Sequence, residues 1–168
     1  MKRIILNRHA KSDWDDSSLS DYQRPLSERG LKDAPMMAKK FAKRNIKVDL
    51  LYSSSANRAK STAEYFIKEL NLSENQYFFE REIYGSGVSF IRNIIPSLDN
   101  KIDTVMFFGH NPDFTSLVTY LSGETIGNLP TCGIAIIKFD LSSWSQIHDV
   151  NGELEVFDYP KNYTEEED

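Results

Sequence analysis

The chain contains a single cysteine, Cys132, among its 168 residues. No internal disulfide can form and no cysteine-based metal site can be assembled. No cation stands beside Cys132 in sequence to lower its pKa, so it reads as a small residue at a strand start rather than as a nucleophile. Also missing is any apolar run near the ~20 residues that span a bilayer. The N-terminus has neither the apolar core nor the small-residue cleavage site of a secretory signal. The expected compartment is therefore the cytoplasm, with no membrane partner. Positive charge is scarce as well: 20 Lys and Arg face 25 Asp and Glu, for a net charge of -5. Nucleic-acid binding draws most of its affinity from cations set against phosphates, so that class of partner is not expected. If the protein handles phosphate, it must do so with a few focused cations.

What is present fits one globular domain. The composition of 40% hydrophobic, 12% aromatic and 27% charged residues argues against general disorder. The length suits one core rather than two. No internal repeat or interdomain linker is visible. We read residues 1–160 as a single domain and 161–168, which closes on "TEEED", as an acidic C-terminal tail.

Short runs rich in branched and aromatic residues, "RIIL", "VDLLYSS", "YFFERE", "DTVMFFGH" and "GIAIIKFD", predict strands. Between them lie helical patterns. Ser27 opens one, with Leu31, Ala34, Met37, Ala38 and Phe41 spaced for an apolar face. A second runs from Ala56 to Leu70. A shorter third, "VSFIRNIIPSL", is stopped by Pro96. The fourth has Asn111 as N-cap, Pro112 at its first position and Gly123 as terminator. Strands alternating with helices predict a three-layer α/β/α fold with a mostly parallel central sheet. The longest irregular segment, "SDWDDSSLSDYQRPLS", is polar and turn-rich; a lid and a plain solvated connection are both open readings.

In such a sheet, ligands sit beyond the carboxyl ends of the strands. Three of those ends carry unusual polar residues. The first strand ends in Arg8-His9, the second leads through "YSSSANRAKSTA" to Arg58 in the next helix's first turn, and the fourth ends in "FFGHNP" with His110. Each has an ordinary reading alone: a chance pair, a solvated helix residue, part of a helix cap. Those readings do not predict a coincidence at three strand ends. Guanidinium groups match phosphate oxygens in bidentate geometry and stay charged at any working pH. Helix N-termini beside them add N–H donors. A neutral imidazole can attack phosphorus and carry the phosphoryl group covalently, while a second, protonated one can donate to the transition-state oxygens. No carboxylate stands at short metal-ligand spacing from either histidine, so neither a metal nor any other cofactor is expected.

"LNRHAKS", "SSSANRAKSTAEYF" and "FFGHNPDF", together with "RPLSERG" and "LPTCGIAIIKFD", resemble the histidine phosphatase (phosphoglycerate mutase-like) superfamily. The small size resembles its SixA-type phosphohistidine phosphatase branch. The resemblance covers nearly the whole chain and implies a phosphoglycerate mutase-like fold. It also implies that His9 is the nucleophile that becomes phosphohistidine, with Arg8, Arg58 and His110 completing the phosphate pocket. One departure is that Ala10 stands where the family most often has Gly.

Larger members place a general acid on an inserted segment that this chain is too short to contain. Glu82, at the end of the "YFFERE" strand, is the candidate acid here, with Glu80 and Asp13 as alternatives. A site with little acid assistance favours labile phosphoryl donors, because a phosphohistidine's imidazole leaves readily once protonated. The expected activity is a metal-independent phosphatase working through a covalent phosphohistidine intermediate on a phosphohistidine-bearing protein. Phosphatase action on small phosphate esters, or phosphate-dependent binding with weak catalysis, are the alternatives. Arg24 either braces the pocket or pairs with the acidic loop, Trp14 and Tyr22 either line a substrate mouth or anchor the loop, and Lys11 and Ser12 lie near His9.

Overall fold

A computed structural model of the protein describes residues 1–163. Four strands run parallel: β1 (Lys2–Arg8), β2 (Leu50–Ser54), β3 (Tyr77–Glu80) and β4 (Thr104–Gly109). Two more, β5 (Ile134–Phe139) and β6 (Glu153–Asp158), continue the sheet antiparallel beyond β1. The order across the sheet is β3-β2-β4-β1-β5-β6. β6 has no counterpart in the sequence expectations. Its "ELEVFD" sits at the edge with Glu153 and Glu155 exposed, so its charge masks a pairing that β5 supplies.

The strands alternate their side chains between two cores, as a period of two requires. On one face, α1 (Glu28–Ala42) and α2 (Asn57–Glu69) pack Ala34, Met37, Phe41 and Phe66 against Ile5, Met106 and Phe108. On the other, α3 (Arg81–Ile94) and α4 (Asp113–Ser122) pack Ile91, Phe114 and Leu117 against Ile4, Leu6 and Phe107. Phe107 and Phe108 are fully buried on opposite faces, and burying each such ring stabilises the fold by about 1.5–3 kcal/mol. The result is the three-layer α/β/α arrangement with its parallel strands at the centre.

Local signals account for most helix boundaries. Ser27 caps α1 by accepting from Gly30 N at 3.1 Å. Gly30 lies so close to the Lys11 carbonyl that a Cβ there would overlap it, which holds the start of α1 against the chain leaving β1. The buried stripe of α1 is Gly30, Asp33, Ala34, Met37, Ala38 and Phe41. Leu31 is rotated off it and 51% exposed, contrary to the apolar face expected. Gly123 ends α4 in the left-handed conformation, φ 75°. Asn111 caps from one position further out than expected, its Oδ1 accepting from Thr115 N at 3.2 Å.

The largest difference lies after β3. The third helix begins at Arg81 rather than near Val88, and bends at Ser86 (φ -152°, ψ 56°), where Asp113 Oδ2 accepts from Gly87 N at 3.1 Å. The pairing of β3 with β2 ends at Ser54 and Glu80. Glu82, expected at a strand end, therefore stands in the first turn of α3. At the C-terminus, Tyr163 Oη donates to Asp158 at 2.6 Å and Asn162 Nδ2 to the same carboxylate at 2.9 Å. Ordered packing thus continues past residue 160, and the "TEEED" part of the expected tail lies outside the described residues. No helix among the described residues is long and apolar enough to cross a membrane.

Candidate active site

The parallel register of β1 on β4 sets Arg8 opposite Gly109, so the residues that follow, His9 and His110, emerge side by side at the carboxyl edge. Their rings stand 5.2 Å apart between centroids, and His9 N donates to Gly109 O at 3.1 Å. From the other side, the segment entering β5 clamps the same strand end. Arg8 N donates to Gly133 O at 3.1 Å and Cys132 N to His9 O at 3.0 Å. Cys132 is buried with a positive φ of 58°, and burial pushes its thiol pKa up. Ala10 is fully buried in the α1/α2 core, its N–H held by Thr62 Oγ1 at 3.0 Å. A methyl group in place of the family's usual Gly is thus accommodated as packing.

Arg8, His9, Arg58 and His110 line one cavity of about 220 Å³, joined there by Lys11 and Arg24. The four residues from three strand-to-helix crossings are thereby brought together. Glu82 is not among them. It lines a separate hollow on α3 with Ser86, Phe90 and Asn93. Asp13 faces a neighbouring hollow and accepts from Asp15 N at 2.7 Å, and Glu80 sits at the N-cap of α3. Among the described residues, no group of three or more His, Cys, Asp or Glu is placed to hold a metal ion.

The electrostatics of the cavity keep both imidazoles neutral. His9 Nδ1 lies 2.7 Å from the Ala10 carbonyl oxygen, a contact that needs the hydrogen on Nδ1 and leaves the Nε2 lone pair free. Burial is the main cause lowering the His9 pKa to about 3. The Ala10 carbonyl acts against it, and His110, Arg58 and Arg8 add to it. His110 is lowered to about 4, first by burial and then by Arg58, with Asp21 opposing. Its Nε2 pairs with Ser54 Oγ at 2.8 Å. Four buried side-chain polar atoms have no hydrogen-bond partner among the described residues, and three belong to this cavity: Arg8 Nε, Arg58 Nε and His110 Nδ1. Leaving such a donor unpaired costs about 1–3 kcal/mol. Their concentration around one cavity marks it as a place for an acceptor-rich ligand.

The polar loop supplies the other wall, and here the sequence reading overlooked the central residue. The bridge between Ser12 and Leu26 and the bond from Asp13 N to Pro25 O (2.9 Å) pin the loop's ends together. Asp21 then takes Arg58 through both its backbone oxygen (2.6 Å) and its carboxylate (3.0 Å). The same carboxylate accepts from Tyr84 Oη at 2.8 Å and from Arg24 Nε at 3.1 Å. Partial burial pushes the Asp21 pKa up, but the bonds from Tyr84, Arg58 and Arg24 outweigh it and bring it down to about 2. Arg24 both braces the pocket and pairs with the loop, since its Nη1 also donates to Ser12 Oγ at 2.7 Å. Tyr22 is an anchor, its Oη donating to Ser55 Oγ at 2.6 Å. The available signal for Asp21 was its position three residues before Arg24, the spacing of a turn-closing ion pair.

Comparison with known proteins agrees with this geometry. The model of the histidine phosphatase superfamily (branch 1) matches residues 4–81. An uncharacterized chloroplastic protein of Arabidopsis thaliana is 32% identical over 159 residues, covering 90% of this chain and 72% of that one. The chain belongs to the histidine phosphatase superfamily. Within it, the fold is of the SixA type. A SixA phosphatase structure from Agrobacterium tumefaciens and a protein histidine phosphatase SixA complexed with tungstate each superpose with a TM-score of 0.80 at 25% identity, covering 95% of this chain and 98% of theirs. Membership makes this histidine phosphatase an enzyme acting on phosphorylated substrates.

Proposed function

We propose that the protein is a metal-independent phosphatase that works through a phosphohistidine on His9 and acts on a phosphohistidine-bearing protein. The observation that carries this reading is the pairing of two features in one cavity. A buried neutral imidazole presents a free Nε2 lone pair, and around it stand Arg8 Nε, Arg58 Nε and His110 Nδ1 without partners. A phosphoryl group supplies the acceptor oxygens those donors lack, and the tungstate bound by the related SixA is likewise an oxyanion.

In the first step the His9 Nε2 lone pair forms a bond to phosphorus as the bond from phosphorus to the leaving group breaks. The departing electron pair goes to the leaving nitrogen, and a substrate ring already protonated from solvent on its other nitrogen leaves as neutral imidazole without a further proton. In the second step a water oxygen bonds to phosphorus, the P–Nε2 bond breaks, and the water's proton is released as inorganic phosphate forms. Arg8 and Arg58 neutralise charge on the transferring oxygens. The phosphate dianion raises the His110 pKa on binding, so that Nδ1 donates while Nε2 keeps Ser54.

The substrate preference follows from what the cavity wall holds. Its lining is cationic and neutral, and the Asp21 carboxylate in the loop behind it is already taken by Arg58, Arg24 and Tyr84. An alkyl ester oxygen leaves poorly without an acid beside it, whereas a protonated imidazole leaves well. The absence of a free acid from the lining therefore favours phosphoramidate donors over sugar phosphates.

The test is hydrolysis, with a chelator present, of a phosphohistidine-bearing protein and of a panel of sugar phosphates. We expect turnover of the former, an acid-labile phosphoryl group trapped on the protein, and loss of both in His9→Ala. Activity that survives in His9→Ala would sink the mechanism. Faster turnover of the sugar phosphates would overturn the substrate assignment.

A further inference from the structure

The cavity around His9 seats a phosphoryl group, and the rest of the substrate has to lie outside it. A second hollow of about 590 Å³ adjoins it and shares Lys11, Ser12 and Trp14 with it. Trp14 is the residue of note at that junction. It is 68% exposed, the highest of the large hydrophobic side chains at the surface. Single exposed apolar residues are common and by themselves mean little. This one, however, is held in place. The Arg24 guanidinium lies 3.3 Å from the centre of its ring, and Arg24 is itself buried and fixed by Asp21 and Ser12. The chain just before it is pinned by the bridge from Ser12 to Leu26 and the bond from Asp13 N to Pro25 O, and just after it Asp15 N donates back to Asp13 Oδ1 at 2.7 Å. One face of the indole is thus covered by a fixed cation, and the remainder is left to solvent at the exit from the phosphoryl pocket.

We propose that Trp14 is the platform on which the leaving group stacks, and that it selects substrates whose phosphoryl group is carried by a planar unsaturated ring. The inference rests on the phosphatase reading above and sharpens its substrate class. A rigid indole surface at the mouth of an oxyanion pocket rewards a flat ring that can lie against it and gives little to a flexible aliphatic alcohol. The charges around the second hollow narrow the choice of ring. Asp13, Asp15 and Glu28 stand there against Lys11 and Arg29, an excess of one negative charge. An anionic leaving group is repelled, and a phosphoimidazole ring, cationic while its distal nitrogen is protonated and neutral once the P–N bond has broken, is tolerated better than a neutral aryl ring.

The test compares kcat/KM for N-phosphoimidazole, phenyl phosphate and glycerol 2-phosphate in the wild type, Trp14→Ala and Trp14→Phe. Intrinsic reactivity differs among the three substrates but cancels when each variant is compared with the wild type. In Trp14→Ala the preference for either ring substrate over glycerol 2-phosphate falls about fivefold to tenfold, and Trp14→Phe restores most of it. Of the two rings, phosphoimidazole loses more. An equal fall for all three substrates, as a collapsed loop would give, overturns the platform. No turnover of any of them by the wild type removes the phosphatase reading and the platform with it.

Binding gives a second readout without turnover. Trp144 is fully buried, so quenching of exposed tryptophan emission reports on Trp14. In His9→Ala, phenyl phosphate is expected to change that emission and glycerol 2-phosphate is not. Equal responses to the two overturn the proposal.

Discussion

The strand-end floor of the site and the loop that walls it are both rich in charge, yet they treat hydrogen bonds in opposite ways. On the floor, Arg8, Arg58 and His110 each keep a buried nitrogen without a partner. In the loop, Asp21 answers Arg58, Arg24 and Tyr84 at once. The floor is held open for something that arrives, while the wall is complete before it does. Arg58 belongs to both, since its two terminal nitrogens are aimed by Asp21 and its Nε faces no partner. The contrast suggests that binding and positioning are divided between a rigid sheet edge and a self-satisfied loop. A side chain aimed by a fully paired neighbour loses little further entropy on meeting its ligand.

The division predicts a graded series of failures. His9→Ala removes the nucleophile and should lower kcat on the order of 10⁴-fold or more, read in a steady-state phosphatase assay. Arg58→Ala removes a floor donor while leaving the nucleophile, and the expected fall in kcat is about 10² to 10³. If Arg58→Ala raised KM alone, the arginine would grip the ground state and not the transferring group.

Stability should separate the two regions by pH. His9 and His110 have folded pKa values of about 3 and about 4, below the ~6.5 of the unfolded chain. The unfolded state then binds more protons below pH 6.5, so the stability these neutral rings allow is present above that pH and lost as pH falls. The loss is about 2 kcal/mol for each histidine between pH 6.5 and pH 5. Asp21, already ionised down to about 2, adds nothing to that slope. Urea midpoints at pH 7 and pH 5 check this, with a shallower slope expected in His110→Gln; equal midpoints in the wild type would contradict it.

Asp21→Ala acts on the floor only through the wall, and a fall in kcat of about tenfold is expected, with Asp21→Asn in between. A loss as deep as that of Arg58→Ala would mean that Asp21 meets the substrate itself. The smallest effect belongs to Glu82→Gln, expected to stay within about twofold because its side chain opens on another hollow. A large loss there would return a proton donor to the mechanism.

The same contrast governs how much could be read from sequence. The floor was legible because each of its residues closes or follows a strand, and strand ends are visible as apolar runs that stop. Arg8-His9, Arg58 and His110 needed only the rule that parallel strands deliver their ends to one edge. Asp21 was harder to read, since only its spacing from Arg24 is local, while its partners Arg58 and Tyr84 lie 37 and 63 residues further along. Glu82 went astray for a different reason. "ERE" suits the end of a strand or the first turn of a helix equally, and the register of β3 on β2 decides between them. The sixth strand hid behind its own acidic residues, and Leu31 behind a helical period that Gly30 had already claimed.

The antiparallel entry of β5 bears on how such a site can diversify. β1, β2 and β4 bring their ends to the active edge, but β5 brings its beginning, so the stretch before it, Leu129 to Gly133, arrives as a returning loop. That loop touches Arg8 through Leu129 O and contributes Thr131 to the cavity wall. Two backbone bonds onto the end of β1 hold it there, and Leu129 is tied as well to Thr115 of α4 and to Asn111 ahead of that helix. Chain added upstream of Leu129, beyond Gly123, would therefore lengthen the far bank of the site without moving the phosphoryl grip. The fold thus has a seam where substrate range can be rewritten by insertion while the chemistry stays fixed.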